Sequence, residues 1–132
     1  MSKKLRCAIL GTGNIGTDLL IKVMRSKLLE CTLFAGRNFR SEGMQKASSL
    51  GVNISDNGIN AIVEKGDFID IVFDATSAAA HIEHWAVIEE LGKIAIDMTP
   101  AKLGRFCVPA INSQEICDSG ARNINMVTCG GQ

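Results

Sequence analysis

Residues 5–16 read Leu5-Arg6-Cys7-Ala8-Ile9-Leu10-Gly11-Thr12-Gly13-Asn14-Ile15-Gly16. A short apolar run stops at Gly11, which opens a GxGxxG spacing. From Asn14 to about Lys27, Ile15, Leu19, Leu20, Val23 and Met24 recur at the spacing of a helix with one buried face. A bare GxGxxG says little; a strand before it and a helix after it supply the context that gives it meaning. Gly11 then permits the tight turn. Gly13, lacking Cβ, lets a pyrophosphate reach the backbone, and Gly16 lets the helix pack close to the strand. Free N–H groups at the helix start, with their partial positive charge, face the phosphates. Thr12, Asn14 and Ile15 complete the loop. The competing reading is an ordinary glycine-rich turn.

Outward from this loop the alternation continues. Cys31–Ala35 is apolar and stops at Gly36. Ser41–Leu50 reads as a helix with Glu42 in its first turn and Gly51 as its stop. Val52–Ser55 suits a short strand and Gly58–Glu64 a short helix. Ile69–Phe73 is β-branched and apolar, as in a strand covered on both faces. Ser77 is placed to cap a helix from Ala78 to about Leu91. Lys93–Asp97 is another strand, followed by Pro100. Phe106–Ala110 and Ile124–Thr128 read as strands, with a short helix over Ser113–Asp118 between them. Such alternation predicts an α/β fold: a doubly wound, mostly parallel sheet of the Rossmann dinucleotide-binding type.

The 132 residues fit one domain, and no linker divides residues 1–132. Fourteen basic and fourteen acidic residues cancel, leaving no electrostatic footprint for nucleic acid. Trp85 and the five Phe are not interleaved with basic residues, so no base-stacking platform is expected. No apolar run approaches the roughly 20 residues of a membrane span. The apolar run after Lys3-Lys4 is too short for a signal-peptide core. The five Cys (7, 31, 107, 117, 129) are odd in number and contain no CxxC. That pattern disfavours a disulfide framework or a zinc site and suits the reducing cytoplasm.

Several residues bear on the cofactor and the chemistry. An NAD site usually places Asp or Glu about 20 residues beyond the glycine loop, to bind the ribose. Here the stretch is Gly36-Arg37-Asn38-Phe39-Arg40-Ser41, with no carboxylate before Glu42. Either Arg37, Arg40 and Ser41 hold the 2′-phosphate of NADP, or Asn38 bonds the ribose of NAD. His81 and His84 stand at i, i+3 on an expected helix and read as a solvated turn, not a metal site. Asp74 ends a strand, as a crevice contact or a turn residue. Cys7, Cys31, Cys107 and Cys117 read as packing residues. Cys129 differs: it leaves an expected strand into Gly130-Gly131, where small neighbours admit a substrate.

Four segments taken in order, MSKKLRCAILGTGNIGTDLLIKVMRS, IVFDATSAAAH, IDMTPAKLGRFCVPAIN and NINMVTCGGQ, resemble the CoA-acylating acetaldehyde dehydrogenases. The resemblance runs from about Lys4 to Gln132. It implies that Cys129 of CGGQ carries an acyl thioester, and that Thr12, Gly13, Asn14 and Ile15 contact NAD. It places Ser77 and Thr99, at strand ends facing the same crevice, near the cofactor. It implies coenzyme A as co-substrate, a small aldehyde as substrate, and a 4-hydroxy-2-oxovalerate aldolase as partner. Members usually carry an acidic residue where this chain has Arg37-Asn38, which keeps NADP open as the alternative. They are also more than twice this length, so a second domain is expected beyond these residues, and a lone first domain is expected to self-associate. The rival readings are a semialdehyde or glyceraldehyde-phosphate type dehydrogenase domain and a non-catalytic dinucleotide-binding module.

Overall fold

The structure, a computed structural model, describes residues 4–101, 103–107, 114–115 and 118–126. Among the described residues, seven strands form one sheet: β1 (Leu5–Leu10), β2 (Leu29–Ala35), β3 (Ile54–Ser55), β4 (Ile71–Asp74), β5 (Ile94–Asp97), β6 (Arg105–Cys107) and β7 (Asn123–Met126). Their order is β3-β2-β1-β4-β5-β7-β6, and every neighbouring pair is parallel. The α-helices whose bounds are described are α1 (Asn14–Arg25), α2 (Glu42–Ser49), α3 (Ile59–Glu64) and α4 (Ala78–Glu90). The expected doubly wound sheet is therefore present, with the helices on both faces.

Alternation along the strands divides the core in two, because successive side chains point to opposite faces. Ala8, Leu10, Leu33, Ala35 and Val72 join Ala61 and Ile62 of α3 and Ile88 of α4. Ile9 and Phe34 face the other way and meet Leu20 and Val23 of α1 and Met44 and Ala47 of α2. Strand segments buried on both faces have no polar side, which explains the apolar runs at residues 7–10 of β1 and 33–35 of β2.

Local chemistry sets the helix limits. Ser41 Oγ accepts from Met44 N at the start of α2, and Gly51, with φ +81°, follows its end. Ser77 Oγ accepts from Ala80 N at the start of α4, which ends before Gly92 at φ +73°. Both glycines occupy the left-handed region that ends helices at low steric cost. The strand expected from Ile69 begins at Ile71, because residues 66–68 form a 3₁₀ turn whose Gly66 carbonyl accepts from Ile69 N. The helix expected over 113–118 is described at residues 114–115 and 118, which are helical. The expected strand ends at 108–110 and 127–128 lie outside the described residues.

The first crossover goes from β1 outward to β2 and β3; the chain then returns to place β4 on the other side of β1. That reversal opens a crevice at the carboxyl ends of β1 and β4, where open α/β sheets take their ligands. Among the described residues no helix is long and apolar enough to cross a membrane.

Candidate functional site

The glycine loop lies at this reversal. Gly11 has φ +102°, and a Cβ there would stand 2.5 Å from the Ala75 carbonyl oxygen. A Cβ on Gly16 would fall 1.9 Å from the Gly11 carbonyl oxygen, whereas Ile9 Cγ2 of the strand is 3.7 Å away. Gly16 thus serves the turn of the loop more directly than the strand packing anticipated for it. Gly13 is the opposite case: a Cβ there would meet no atom within 4 Å. The space in front of Gly13 is open.

Gly13 is also the N-cap of α1, and no side chain caps that helix. No acidic residue stands in its first turn. The starts of α2 and α4 are satisfied internally by Ser41 and Ser77. The first N–H groups of α1, around Asn14 and Ile15, are thus left for an anion. Gly43 brings α2 against the loop, since a Cβ there would lie 2.1 Å from the Thr12 carbonyl oxygen. Thr12 Oγ1 and Ser41 Oγ are 3.1 Å apart, tying the loop to the cap of α2.

Beside the loop is a crevice of about 460 Å³, whose polar lining includes Thr12, Arg37, Asp56, Asn57, Ser77 and His84. Of the expected cofactor residues, Gly11, Thr12, Arg37 and Ser77 meet here. Gly13 and Asn14 line an adjoining groove between α1 and α2. Asn38 is elsewhere: it is exposed, and its Oδ1 accepts from Arg40 N at 2.9 Å. Ser41 is occupied as a helix cap. Arg37 is therefore the one member of the anticipated Arg37, Arg40 and Ser41 set that lines the crevice. Asp56, just past β3, supplies the carboxylate whose absence after β2 was noted in the sequence. Thr99 follows β5 on the same sheet edge but is buried and lies outside the crevice lining. Cys129 lies outside the described residues.

Behind the crevice wall is a buried polar cluster that sequence reading missed. His81 and His84 are not a solvated turn: both are buried, as is Asp74, which ends β4 and accepts from Thr76 N in the turn that follows. With Ile88 they follow the buried stripe of α4, so two imidazoles occupy core positions because Asp74 partners them. Asp74 Oδ2 lies 2.9 Å from His81 Nδ1 and 2.8 Å from His84 Nδ1. Asp74 Oδ1 accepts from the backbone N and the hydroxyl of Thr76. Burial pushes the Asp74 carboxyl up, but the hydrogen bonds from His81, His84 and Thr76 outweigh it and hold the group below the usual carboxylate range. Burial pushes the His81 imidazole down, yet the bond to Asp74 and the charge of Asp97 leave it raised. The spacing of His81 and Ile88, after an Asp-terminated strand, is the signal that could have revealed this. Among the described residues no group of three or more His, Cys, Asp and Glu is arranged to hold a metal.

Cys7 and Cys31 sit opposite one another on β1 and β2, and burial pushes their thiols to about 12 and about 11. They are therefore protonated and unreactive, as expected of packing residues.

The parallel sheet reversed at β1, the uncapped α1 and the glycine turn define a Rossmann-type nucleotide-binding fold. The fold recurs in solved oxidoreductases and NAD-binding proteins. One is an NAD-binding protein from Listeria innocua (TM-score 0.65, 21% identity, 94% of this chain and 35% of that one). Another is GenD2 of gentamicin A biosynthesis, solved with NAD (TM-score 0.70, 19% identity, 95% and 35%). Biliverdin reductase from Synechocystis, solved with NADP+, is a third (TM-score 0.66, 21% identity, 92% and 37%). At these identities the likeness is one of fold.

Sequence similarity goes further. The chain is 66% identical over 132 residues to the acetaldehyde dehydrogenase of Pectobacterium atrosepticum, covering all of this chain and 45% of that protein. It is 53% identical over 131 residues to the Spirochaeta aurantia acetaldehyde dehydrogenase, covering 99% and 43%. It is 49% identical over 130 residues to that of Bacillus cereus, covering 98% and 43%. No protein-family model matches the chain. The homologues of this chain are thus acetaldehyde dehydrogenases, which are oxidoreductases, and the chain spans less than half the length of these relatives.

Proposed function

We propose that this chain is the NAD-binding domain of a cytoplasmic, CoA-acylating acetaldehyde dehydrogenase. The observation that carries the reading is the open, uncapped start of α1 at Gly13, beside a crevice large enough for a nucleoside. The residues fit the cofactor. Gly13, Asn14 and Ile15 offer N–H groups to the pyrophosphate. The crevice between Arg37, Asp56 and Ser77 takes the adenosine end. When bound, NAD accepts the hydride that leaves the aldehyde carbon.

Cys129 is the nucleophile of this proposal. Its thiolate adds to the acetaldehyde carbonyl to give a thiohemiacetal, and loss of hydride leaves a thioester on Cys129. The thiolate of coenzyme A then attacks the acyl carbon, the bond to Cys129 breaks, and the cysteine thiolate is regenerated. Cys7 is buried and Cys31 half-buried, and burial raises both thiols well above neutral pH, which leaves them unsuited to this role. The further partner proposed is a 4-hydroxy-2-oxovalerate aldolase that supplies the aldehyde. Self-association is proposed through exposed apolar side chains such as Leu28 and Phe68.

The test is NADH formation that requires both acetaldehyde and coenzyme A, measured on the natural protein and on Cys129→Ala. Turnover lost in the variant, with NADH binding retained, is the expected result. Turnover with phosphate in place of coenzyme A would favour the glyceraldehyde-phosphate type instead. Cofactor binding with no turnover under any acceptor would leave a non-catalytic dinucleotide module.

A further inference from the structure

His81 lies in the first turn of α4, fully buried, against the carboxyl ends of β4 and β5 and the first residue of β7. Its Nδ1 is 2.9 Å from Asp74 Oδ2, at the end of β4. Its Nε2 is 3.4 Å from Asp97 Oδ2, at the end of β5, and 3.2 Å from Asn123 Oδ1 on β7. An ionised carboxylate only accepts hydrogen bonds, and a neutral imidazole has a single N–H. Asp74 Oδ2 accepts at Nδ1, and both atoms facing Nε2, Asn123 Oδ1 within hydrogen-bond distance and Asp97 Oδ2 within ion-pair distance, are acceptors, so the geometry has both nitrogens donating.

The charge count agrees. Asp74 and Asp97 are both fully buried, and buried carboxylates need a counter-charge close by. The other donors to Asp97 are neutral: Thr99 N at 2.7 Å and Asn125 Nδ2 at 2.9 Å. His84 Nδ1 shares Asp74 Oδ2 from the same helix. His81 is the side chain in ion-pair contact with both carboxylates. Asn123 Nδ2 is buried and has no partner among the described residues. That orientation is the one an N–H on His81 Nε2 imposes; a bare Nε2 would turn the amide over and accept from Nδ2.

We propose that His81 is an imidazolium link between Asp74 and Asp97 that fixes the strand ends bordering the nucleotide crevice, and so acts as a positioning residue for the cofactor. The route is short. Asp74 Oδ1 holds Thr76, and Thr76 and Ser77 line the crevice. Asp97 Oδ1 holds the Thr99 backbone on the same sheet edge. The last step, from crevice wall to cofactor, rests on the NAD-binding reading.

The experiment is long-range ¹H–¹⁵N NMR of the imidazoles of this chain, from about pH 6 to about pH 9, an interval that starts just below the ordinary histidine value and extends well above it. It is paired with NAD dissociation constants over the same range. Both His81 nitrogens should be protonated at neutral pH, and NAD should weaken about tenfold as the second proton leaves, the scale of one charged hydrogen bond. His81→Gln should weaken NAD about as much already at neutral pH and flatten its pH dependence. Asp97→Asn, which keeps the imidazole and its Asp74 partner, should shift the loss of the second proton and the weakening of NAD together to lower pH. A singly protonated His81 at neutral pH, with NAD binding intact, overturns the inference and leaves the cofactor reading standing. So does an NAD affinity unmoved while His81 titrates. A doubly protonated ring in a chain that binds no NAD overturns the cofactor reading and the positioning role with it, and supports the charge link alone.

Discussion

Asp74 Oδ2 and His81 Nδ1 are 2.9 Å apart, and neither side chain is exposed to solvent. This contact joins the central strand β4 to helix α4 by charge, in a region where a packed apolar pair would be expected. Removing one partner leaves the other buried without compensation. Asp74→Asn is therefore expected to destabilise the fold by about 3–5 kcal/mol near neutral pH. Urea unfolding midpoints at matched pH measure it; a loss under about 1 kcal/mol would mean the cluster is more hydrated than its burial implies.

The same pair sets a pH window for stability. The Asp74 carboxyl is lowered on folding, so its contribution is present above the ordinary carboxylate value and is lost as pH falls through the lower folded value. His81 is raised, so its contribution is complete below the ordinary imidazole value and is lost as pH rises through the raised folded value. Melting temperature against pH should show a plateau bounded by these two losses. His81→Gln should remove the alkaline edge while leaving an acid edge.

The glycine loop separates folding from binding. Gly16→Ala pushes a Cβ into the Gly11 carbonyl and should cost about 1–3 kcal/mol, the usual scale of overpacking. Gly13→Ala meets open space at an ordinary negative φ of −79°, so it should melt like the parent while binding NAD more weakly. Scanning calorimetry of both variants distinguishes them, and equal melting losses would contradict the geometry.

Asp56 and Arg37 share the crevice with opposite charges. A carboxylate accepts from a ribose diol and repels a 2′-phosphate, whereas a guanidinium attracts the phosphate. Asp56→Asn should therefore narrow any preference for NAD over NADP, and Arg37→Ala should widen it. Dissociation constants for both nucleotides with each variant test this, and a ratio unchanged in both would place neither side chain at the ribose.

A smaller acid-sensitive contact lies at the amino ends of the central strands β1 and β4. Arg6 Nε and Nη2 donate to the two carboxylate oxygens of Asp70, and the Arg6 backbone N donates as well. These bonds hold the Asp70 carboxyl at about 2. Its contribution is thus present above the ordinary Asp value and is lost as pH falls towards about 2. Asp70→Asn should lower the melting temperature at neutral pH, with the difference from the parent closing through that window.

The strand–loop–helix at 5–16 was legible because three kinds of signal agree there: an unbroken apolar run, glycine spacing and a helical stripe. Ser77 was readable as a cap, whereas Ser41, read as a helix residue and a phosphate ligand, turns out to cap α2. The ribose side was not, because Asp56 enters the crevice from β3, far in sequence from the loop where a carboxylate is usually sought. The His81–Asp74–Asp97 cluster was hidden for a related reason. Histidine and aspartate carry the pattern of a solvated helix unless the partner across the sheet is known, and Asp97 stands 16 positions away from His81.

The NAD-binding reading rests on the uncapped start of α1. Calorimetric titration of this chain with NAD, repeated on Gly13→Val, is its test. Saturable binding by the parent and its loss in a variant that melts at the parent temperature are expected. No binding by the parent, or undiminished binding by a folded Gly13→Val, would contradict it.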